Sequence, residues 1–117
     1  MPNNRKIGIK GEDIAAEYLN NIGYKIIGRN VRFSKFCEID IIALDKNTIV
    51  FVEVKTRTSD KCGIPFEAVT KKKYDNIKTG VYTYLQQNPN YKRYRIDAVS
   101  VLLFPETRVE HIKNISL

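Results

Sequence analysis

The sequence predicts an α/β protein in which a mixed five-stranded sheet is flanked by two helices, in the order α-β-β-β-α-β-β. Apolar residues recur at helical spacing in two segments, and β-forming residues alternate or run together in five others. The second helical segment separates the third strand from the fourth, which allows these two strands to be parallel. Packing helices against the sheet is the simplest way to bury both sets of apolar residues, so we expect a single domain over residues 1–117.

Each element has its own signal in the sequence. The first helix is predicted over 11–22, where apolar residues are spaced by three or four and Gly23 suits the helix end. The second helix is predicted from 66 or 67 to 87, where an Asn-Pro pair ends it. Between the third strand and this helix, residues 56–65 have the composition of an exposed loop. The strands are predicted at 24–33, 37–44, 48–56, 91–104 and 107–115.

The chemical signal lies in the second and third strands, which we interpret as an antiparallel hairpin. A two-residue loop at Lys46 and Asn47 would place Asp40 opposite Glu53. The same register pairs two further charged side chains, with Cβ atoms about 5 Å apart, because side chains alternate between faces along a strand. The predicted cluster on one face of the hairpin therefore consists of Glu38, Asp40, Glu53 and Lys55.

The two faces of this hairpin differ in character. The apolar face is predicted to hold Ile39, Ile41, Ala43, Val50, Val52 and Val54. Because Ile42 and Phe51 share the charged face, we expect a helix to cover that face in part, and the first helix is our candidate. Glu12 of that helix could then point toward the carboxylates. The alternative is an ordinary hairpin with one wet face and an exposed Glu12.

Carboxylates held this close repel one another, so the cluster needs positive charge. Lys55 supplies one cation, and a hard divalent ion such as Mg²⁺ or Mn²⁺ prefers carboxylate oxygens. Such a site can hydrolyse phosphodiesters, because the ion polarises phosphoryl oxygens and acidifies a bound water. Lys55 would orient that water or offset the charge that develops in the transition state.

The charge of the chain favours a polyanionic partner. The chain has 20 Lys and Arg against 13 Asp and Glu, a formal net charge of +7. Nucleic acid, and DNA above all, is the first candidate for the partner, with an anionic membrane surface second. Basic side chains beside the predicted site could contact phosphates, although a basic helix face is often only solvated. These candidates are Arg57, Lys71, Lys72 and Lys73.

The remaining signals concern compartment and core. Cys37, Cys62 and the single His111 do not make a zinc site, and both cysteines are expected to be thiols without a disulfide. The sequence shows no signal peptide and no stretch long enough to span a membrane, so we expect a cytoplasmic protein. His111 has no partner visible in the sequence and is assigned no role. Three tyrosines lie on apolar stripes and are predicted core residues: Tyr18, Tyr74 and Tyr84.

Motifs spread over most of the chain carry a family resemblance. They are Gly11-Glu12, Gly23-Tyr24, Arg29-Asn30, Glu38-Ile39-Asp40-Ile41-Ile42-Ala43, Phe51-Val52-Glu53-Val54-Lys55-Thr56-Arg57, Gly63, Pro65, Glu67-Ala68-Val69 and Arg95-Ile96-Asp97. Together they resemble the YraN family of small bacterial proteins. That family is regarded as having the restriction-endonuclease-like three-layer core, related to archaeal Holliday-junction resolvases and to the PD-(D/E)XK nuclease superfamily.

The resemblance implies a role for each member of the cluster. Asp40 would be the metal-binding acid, Glu53 the second metal ligand and Lys55 the catalytic lysine. Glu12 would be the helix acid of the same metal site, and Glu38 would be an accessory. One residue departs from the family pattern, since Cys37 stands where the family usually has glycine, and the backbone approach there is expected to differ.

These observations lead to an expected function. The leading hypothesis is an endonuclease dependent on Mg²⁺ or Mn²⁺ that acts on branched or single-stranded DNA. The alternative is a non-catalytic nucleic-acid-binding module that retains the nuclease fold. Resolvases act as two-fold dimers because a four-way junction needs two coordinated cuts, so a homodimer of this chain would support that substrate.

Overall fold

The computed structural model describes residues 4–35, 37–59 and 70–115. The described elements are α1 (Asn4–Asn21), β1 (Lys25–Ser34), β2 (Cys37–Asp45), β3 (Thr48–Arg57), α2 (Lys71–Gln87), β4 (Arg93–Leu102) and β5 (Arg108–Ile112). This order confirms the predicted α-β-β-β-α-β-β succession. The first helix begins at Asn4 and not at residue 11, while the predicted helical residues 66–69 lie outside the described residues.

The five strands form one mixed sheet in the order β1-β2-β3-β4-β5. Only β3 and β4 are parallel among the described strand pairs, and α2 connects them, as the sequence predicted. The other neighbours are antiparallel and follow one another along the chain. No helix in the described ranges is both long enough and apolar enough to cross a membrane.

The two helices cover opposite faces of the sheet and complete three layers. On one face, α1 packs Ala15 and Leu19 against Ile41, Ala43, Val50 and Val52. On the other face, α2 packs Tyr74, Ile77 and Val81 against Ile42, Ile49, Phe51 and Ile96. The three-layer arrangement is confirmed. The expectation that the first helix covers the face of Ile42 and Phe51 is wrong, because α2 covers that face.

The hairpin of β2 and β3 has the predicted register. Ile41 pairs with Val52, and Asp45 pairs with Thr48, around the two-residue turn at Lys46 and Asn47. Lys46 has a φ of 56°, the left-handed conformation that tight hairpin turns require. The ladder between these strands ends at the pair Ile41–Val52, so the two strands separate beyond it.

An acidic side chain replaces the ladder where the strands separate. The Val54 N–H donates to Asp40 Oδ2 at 2.8 Å, so a carboxylate of β2 satisfies a backbone donor of β3. Ile39 packs with the α2-side core and not beside Ile41, which corrects the prediction that both share the apolar face. The side chains of Ile39 and Ile41 therefore point to opposite faces of the sheet, and the alternation along β2 is interrupted at Asp40 between them.

The first helix lies very close to β3. A Cβ atom added at Gly11 would collide with the side chain of Thr56. Only glycine permits this approach, and it brings the middle of α1 against the end of β3. The next residue of the helix, Glu12, is held in this region as a consequence.

Candidate functional site

A cavity of about 260 Å³ opens where β2 and β3 separate beneath α2. It is bounded by the start of β2, the middle of β3 and the first half of α2. Two of the predicted carboxylates, those of Asp40 and Glu53, line it. The full lining consists of Cys37, Glu38, Asp40, Glu53, Lys73, Asn76 and Ile77.

Asp40 carries the most perturbed carboxyl group of the site. Burial raises its pKa to about 7, and the charge of Glu53 adds to this rise. The hydrogen bond from Val54 N–H and the charge of Lys73 oppose the rise without cancelling it. A carboxyl group with such a pKa lacks enough positive charge around it to ionise freely at neutral pH.

Glu53 is almost fully buried, with 4% of its side chain exposed, and it is paired with a lysine from α2. The Lys73 ammonium forms an ion pair with Glu53 Oε1 across the cavity. The sequence placed Lys73 among the nucleic-acid contacts, and the structure places it inside the carboxylate site. Sequence analysis could not assign Lys73 to the site, because the contact depends on how α2 packs over β2.

Lys55 and Glu38 lie at the edges of the site. Lys55 follows Glu53 by two residues on the same face of β3, and it is partly exposed. Its ammonium makes no hydrogen bond or ion pair within the part of the chain that the structure describes. Glu38 lines the cavity but is exposed, and Arg32 Nη2 approaches its Oε2 at 3.1 Å.

Glu12 approaches the cluster from α1 and does not line the cavity. Its side chain is 13% exposed, and Arg29 Nη2 lies 3.5 Å from its Oε1. Burial raises the pKa of Glu12, and the charge of Asp40 raises it further. Glu12 is therefore within electrostatic range of Asp40, on the α1 side of the strand separation, while the cavity opens on the α2 side.

Cys37 fixes α2 against the start of β2. Its thiol donates to the Asn76 carbonyl at 2.8 Å, and a Cβ atom added at Gly80 would lie 2.7 Å from its sulfur. Burial raises the pKa of this thiol. The residue that departs from the family pattern thus contributes a wall of the cavity and a contact that seats the helix.

Two of the other predicted phosphate contacts, Lys71 and Lys72, lie in the first turn of α2, and the third, Arg57, lies at the end of β3. Thr70 caps this helix by accepting a hydrogen bond from Lys73 N–H at 3.1 Å. Lys71 and Lys72 are exposed, and Lys71 Nζ lies 3.1 Å from Asp75. Arg57 ends β3 on the face that carries Glu53. Lys71 and Lys72 thus lie at the positive end of the α2 dipole, in the same first turn as Lys73, which lines the cavity.

A second buried polar cluster, which the sequence analysis did not predict, lies on the α1 face of the sheet. Asp97 is fully buried and accepts hydrogen bonds from Arg95 Nε at 3.0 Å and Asn114 N–H at 2.9 Å. His111 Nε2 lies 2.8 Å from the same carboxylate, and the Tyr18 hydroxyl lies 3.1 Å from His111 Nδ1. His111 therefore has partners, and this corrects the sequence interpretation. An isolated histidine in a short strand gave no signal for them.

The carboxylates of the cavity suit an ion that needs few protein ligands. The described ranges contain no group of three or more His, Cys, Asp or Glu side chains able to hold a metal together. Mg²⁺ commonly uses one or two carboxylates and completes its shell with waters or substrate phosphate. Asp40 and Glu53 are the two buried carboxylates of the cavity that could hold such an ion.

Fold and cavity together define a class: small three-layer α/β proteins with two carboxylates at a strand separation. The uncharacterised protein family UPF0102 matches residues 11–101, and the chain belongs to this family. A UPF0102 protein of Syntrophomonas wolfei is 41% identical over 95% of this chain and 97% of the relative. One from Caldanaerobacter subterraneus is 47% identical over 96% of this chain and 95% of the relative. These matches confirm the resemblance to the YraN family.

Proposed function

We propose that this protein is a nucleic-acid phosphodiesterase dependent on Mg²⁺ or Mn²⁺, acting as an endonuclease on branched or single-stranded DNA. The observation that carries the proposal is the pair of carboxylates, Asp40 and Glu53, in one cavity with too little positive charge around Asp40. The relation of the YraN family to PD-(D/E)XK nucleases supports the same assignment.

Each group of the cavity has a role in this chemistry. Asp40 and Glu53 would hold the ion, which when bound supplies Lewis acidity toward the phosphoryl oxygen and the attacking water. Lys55 projects from the same strand face and would orient the water or offset negative charge on the phosphate. Lys73 neutralises Glu53 in the free protein, and its ammonium is placed to contact an incoming phosphate. Glu12 is positioned to influence the charge of Asp40 from the opposite side.

The substrate assignment rests on charge. The formal net charge is +7, Lys71 and Lys72 lie in the first turn of α2, and Arg57 ends β3. Phosphates that approach this turn meet several cations and the positive end of the helix. A DNA backbone is an extended anion that can use all of them at once.

The direct test is cleavage of defined DNAs with and without Mn²⁺ or Mg²⁺. Linear duplex, single-stranded and four-way-junction DNAs are incubated with the wild type and with Asp40→Asn, Glu53→Gln and Lys55→Met. We expect divalent-ion-dependent cleavage that falls by roughly 100-fold or more in each variant, since each removes a group that stabilises the transition state. Glu17→Gln on α1 and Lys92→Met before β4 are matched controls that should cleave normally.

The result that contradicts the proposal is equally specific. Cleavage that persists at the wild-type rate in Asp40→Asn and Lys55→Met would come from a contaminant or from another site. Preference for the four-way junction would further predict a homodimer at the protein concentration at which cleavage occurs, which sedimentation velocity can measure.

One observation favours a second candidate, a nucleic-acid-binding module without catalysis. Lys73 already neutralises Glu53, and the pKa of about 7 leaves Asp40 partly protonated at neutral pH, so the cavity can persist without a metal. Titration with Mn²⁺ distinguishes the candidates. Paramagnetic broadening centred on Asp40 and Glu53 supports the nuclease. Salt-sensitive DNA binding in a protein that shows no such broadening supports the binding module.

A further inference from the structure

Two exposed tyrosines and a lysine form a continuous surface between α2 and β4, which we call the tyrosine platform: Lys78, Tyr82 and Tyr94. Tyr82 is 51% exposed and Tyr94 is 41% exposed. Burial raises the pKa of the Tyr94 hydroxyl, and the neighbouring Tyr82 raises it further, so the two side chains lie close together across the helix and the strand. The Lys78 ammonium lies 6.0 Å from the centre of the Tyr82 ring and 5.8 Å from that of Tyr74.

The platform rests on the core and is held in place by it. The Tyr94 ring meets the buried Phe51 ring edge to face, with centroids 6.4 Å apart. Tyr74 is buried beneath Lys78 and donates its hydroxyl to the Ile115 carbonyl at 3.2 Å. Rings anchored in this way keep a fixed orientation while much of their surface stays in water, an arrangement typical of binding surfaces.

The platform and the carboxylate cavity lie on opposite flanks of α2. Lys73 and Asn76 line the cavity, whereas Lys78 and Tyr82 are spaced by four residues on the flank that faces β4. None of the three platform residues lines the cavity. The platform is therefore a surface separate from the cavity.

We propose that the tyrosine platform binds unpaired bases of single-stranded nucleic acid. The inference rests on the nucleic-acid-binding part of the proposed function and specifies the form of the substrate. Base stacking on aromatic rings tolerates any sequence, because every base has a π face. Lys78 stands beside the rings where the neighbouring phosphates would lie, and the overall charge of +7 attracts the strand. In a duplex the base faces are already stacked, so the platform selects single strands.

The absence of tryptophan from the sequence allows a clean optical test. Tyr82→Trp keeps an aromatic surface and introduces a single indole into the platform. Its fluorescence is recorded during titration with oligo-dT and with an abasic oligonucleotide of the same length. The two ligands carry the same phosphates, so only stacking distinguishes them. Quenching by oligo-dT with little response to the abasic strand is the expected result.

Affinities measured for matched variants complete the experiment. Tyr82→Leu should weaken binding of oligo-dT by roughly tenfold, while Tyr82→Phe, which keeps the ring, should bind as the wild type does. Lys78→Gln should weaken binding of both oligonucleotides and reduce the salt dependence. Ile22→Ala, at an equally exposed site beyond α1, is the control that should change nothing.

The outcomes separate this inference from the proposed nuclease activity. Equal affinity of the wild type and Tyr82→Leu for oligo-dT, or equal quenching by both oligonucleotides, overturns the platform even if the protein cleaves DNA. Stacking on the platform in a protein that cleaves nothing supports the platform and rejects the nuclease. A wild type that binds neither oligonucleotide at low salt overturns the platform directly.

Discussion

The surroundings of the Asp40 carboxyl group act in opposite directions on its ionisation. Its hydrogen bond from Val54 N–H stabilises the ionised form, whereas burial and the neighbouring charge of Glu53 oppose ionisation. The pKa of about 7 is the net result. A bound divalent ion would offset the repulsion from Glu53 and leave the hydrogen bond from Val54 N–H in place. Asp40 would then ionise when an ion is bound.

This balance predicts a pH-dependent stability. The folded pKa of Asp40 lies above its unfolded value of 3.8, so its favourable contribution is complete below pH 3.8 and is lost as pH rises through 7. Asp40→Asn keeps an oxygen for Val54 and cannot ionise. Its free energy of unfolding in urea should exceed that of the wild type by about 1–3 kcal/mol at pH 8 and by much less at pH 4. An equal difference at both pH values would contradict the assignment.

Lys73 should control the same carboxyl group from α2. Its charge lowers the pKa of Asp40, so Lys73→Gln should move the Asp40 titration to higher pH. Carbon-detected NMR of the Asp40 carboxyl group measures this shift. Lys72→Gln removes an exposed charge of the neighbouring residue and should leave the titration almost unchanged. If both variants shift it equally, the effect belongs to the general charge of the helix and not to Lys73.

At the scale of elements, the site exists because β2 and β3 separate and α2 lies over the gap. The separation begins after the pair Ile41–Val52, and Asp40 bridges it. Cys37 and Gly80 then bring helix and strand into close contact, since the sulfur fills the space left by the absent Cβ. The cavity is thus the joint product of one strand, its neighbour and the crossover helix.

The contact between Cys37 and Gly80 predicts a steric coupling. Gly80→Ala places a Cβ atom 2.7 Å from the Cys37 sulfur and 2.9 Å from the Phe33 ring, and should lower the free energy of unfolding by about 1–3 kcal/mol. Combining it with Cys37→Gly, which removes the sulfur, should cost less than the sum of the two single changes. Additive losses in a urea-denaturation cycle would show that the two residues do not share this contact.

The parts of this arrangement that the sequence predicts are those fixed by local periodicity. The hairpin register was predictable because a slip by one residue would expose Val50 and Val52. The helix that covers each face was not, because alternation along a strand says nothing about where a later crossover packs. The face of Ile39 was predicted wrongly for a related reason. The hydrogen bond between Val54 N–H and Asp40 joins two strands, and no local sequence pattern indicates it.

At the scale of the whole molecule, two buried acidic sites lie in the same sheet and behave oppositely. Asp97 is desolvated, which alone would raise its pKa, but hydrogen bonds from His111, Asn114 N–H and Arg95 lower the pKa below 3.8. Arg95 also hydrogen-bonds to Asp45 at 3.0 Å and to the Tyr24 hydroxyl. The cluster therefore joins β4 to the end of β2 and to the residue before β1. One site stabilises the fold, whereas the other weakens it when ionised.

The two sites together predict the shape of the stability curve. The contribution of Asp97 is present above pH 3.8 and is lost as pH falls through its lower folded pKa, while that of Asp40 declines from pH 3.8 upward. We therefore expect greatest stability near about pH 4 to 5 in metal-free buffer. Urea midpoints measured from pH 2 to pH 9 test this, and Asp40→Asn should flatten only the alkaline side. A maximum at pH 8 in the wild type would contradict the assignment of Asp40, and midpoints that do not fall between pH 4 and pH 2 would contradict that of Asp97.

Replacing His111 should lower the stability of the protein strongly, because the buried Asp97 carboxylate then loses a hydrogen-bond partner. His111→Ala leaves Asp97 with Arg95 and Asn114 alone, and should lower the free energy of unfolding by about 2–4 kcal/mol. Tyr18→Phe removes only the outer hydroxyl of the chain of contacts and should cost about 1 kcal/mol or less. Thermal denaturation that ranks the two variants in the reverse order would place the main anchor of the cluster at Tyr18.

The hydrogen bond from Val54 N–H to Asp40 affects which residues of the relatives can indicate catalytic activity. A relative without catalytic activity would still need an acceptor for the Val54 N–H, so selection for folding alone would preserve an aspartate or asparagine at position 40. Lys55 makes no contact of this kind within the described ranges, and drift could replace it at little cost. Under the proposed function, a lysine at position 55 would therefore distinguish active from inactive members of the family better than an aspartate at position 40 would.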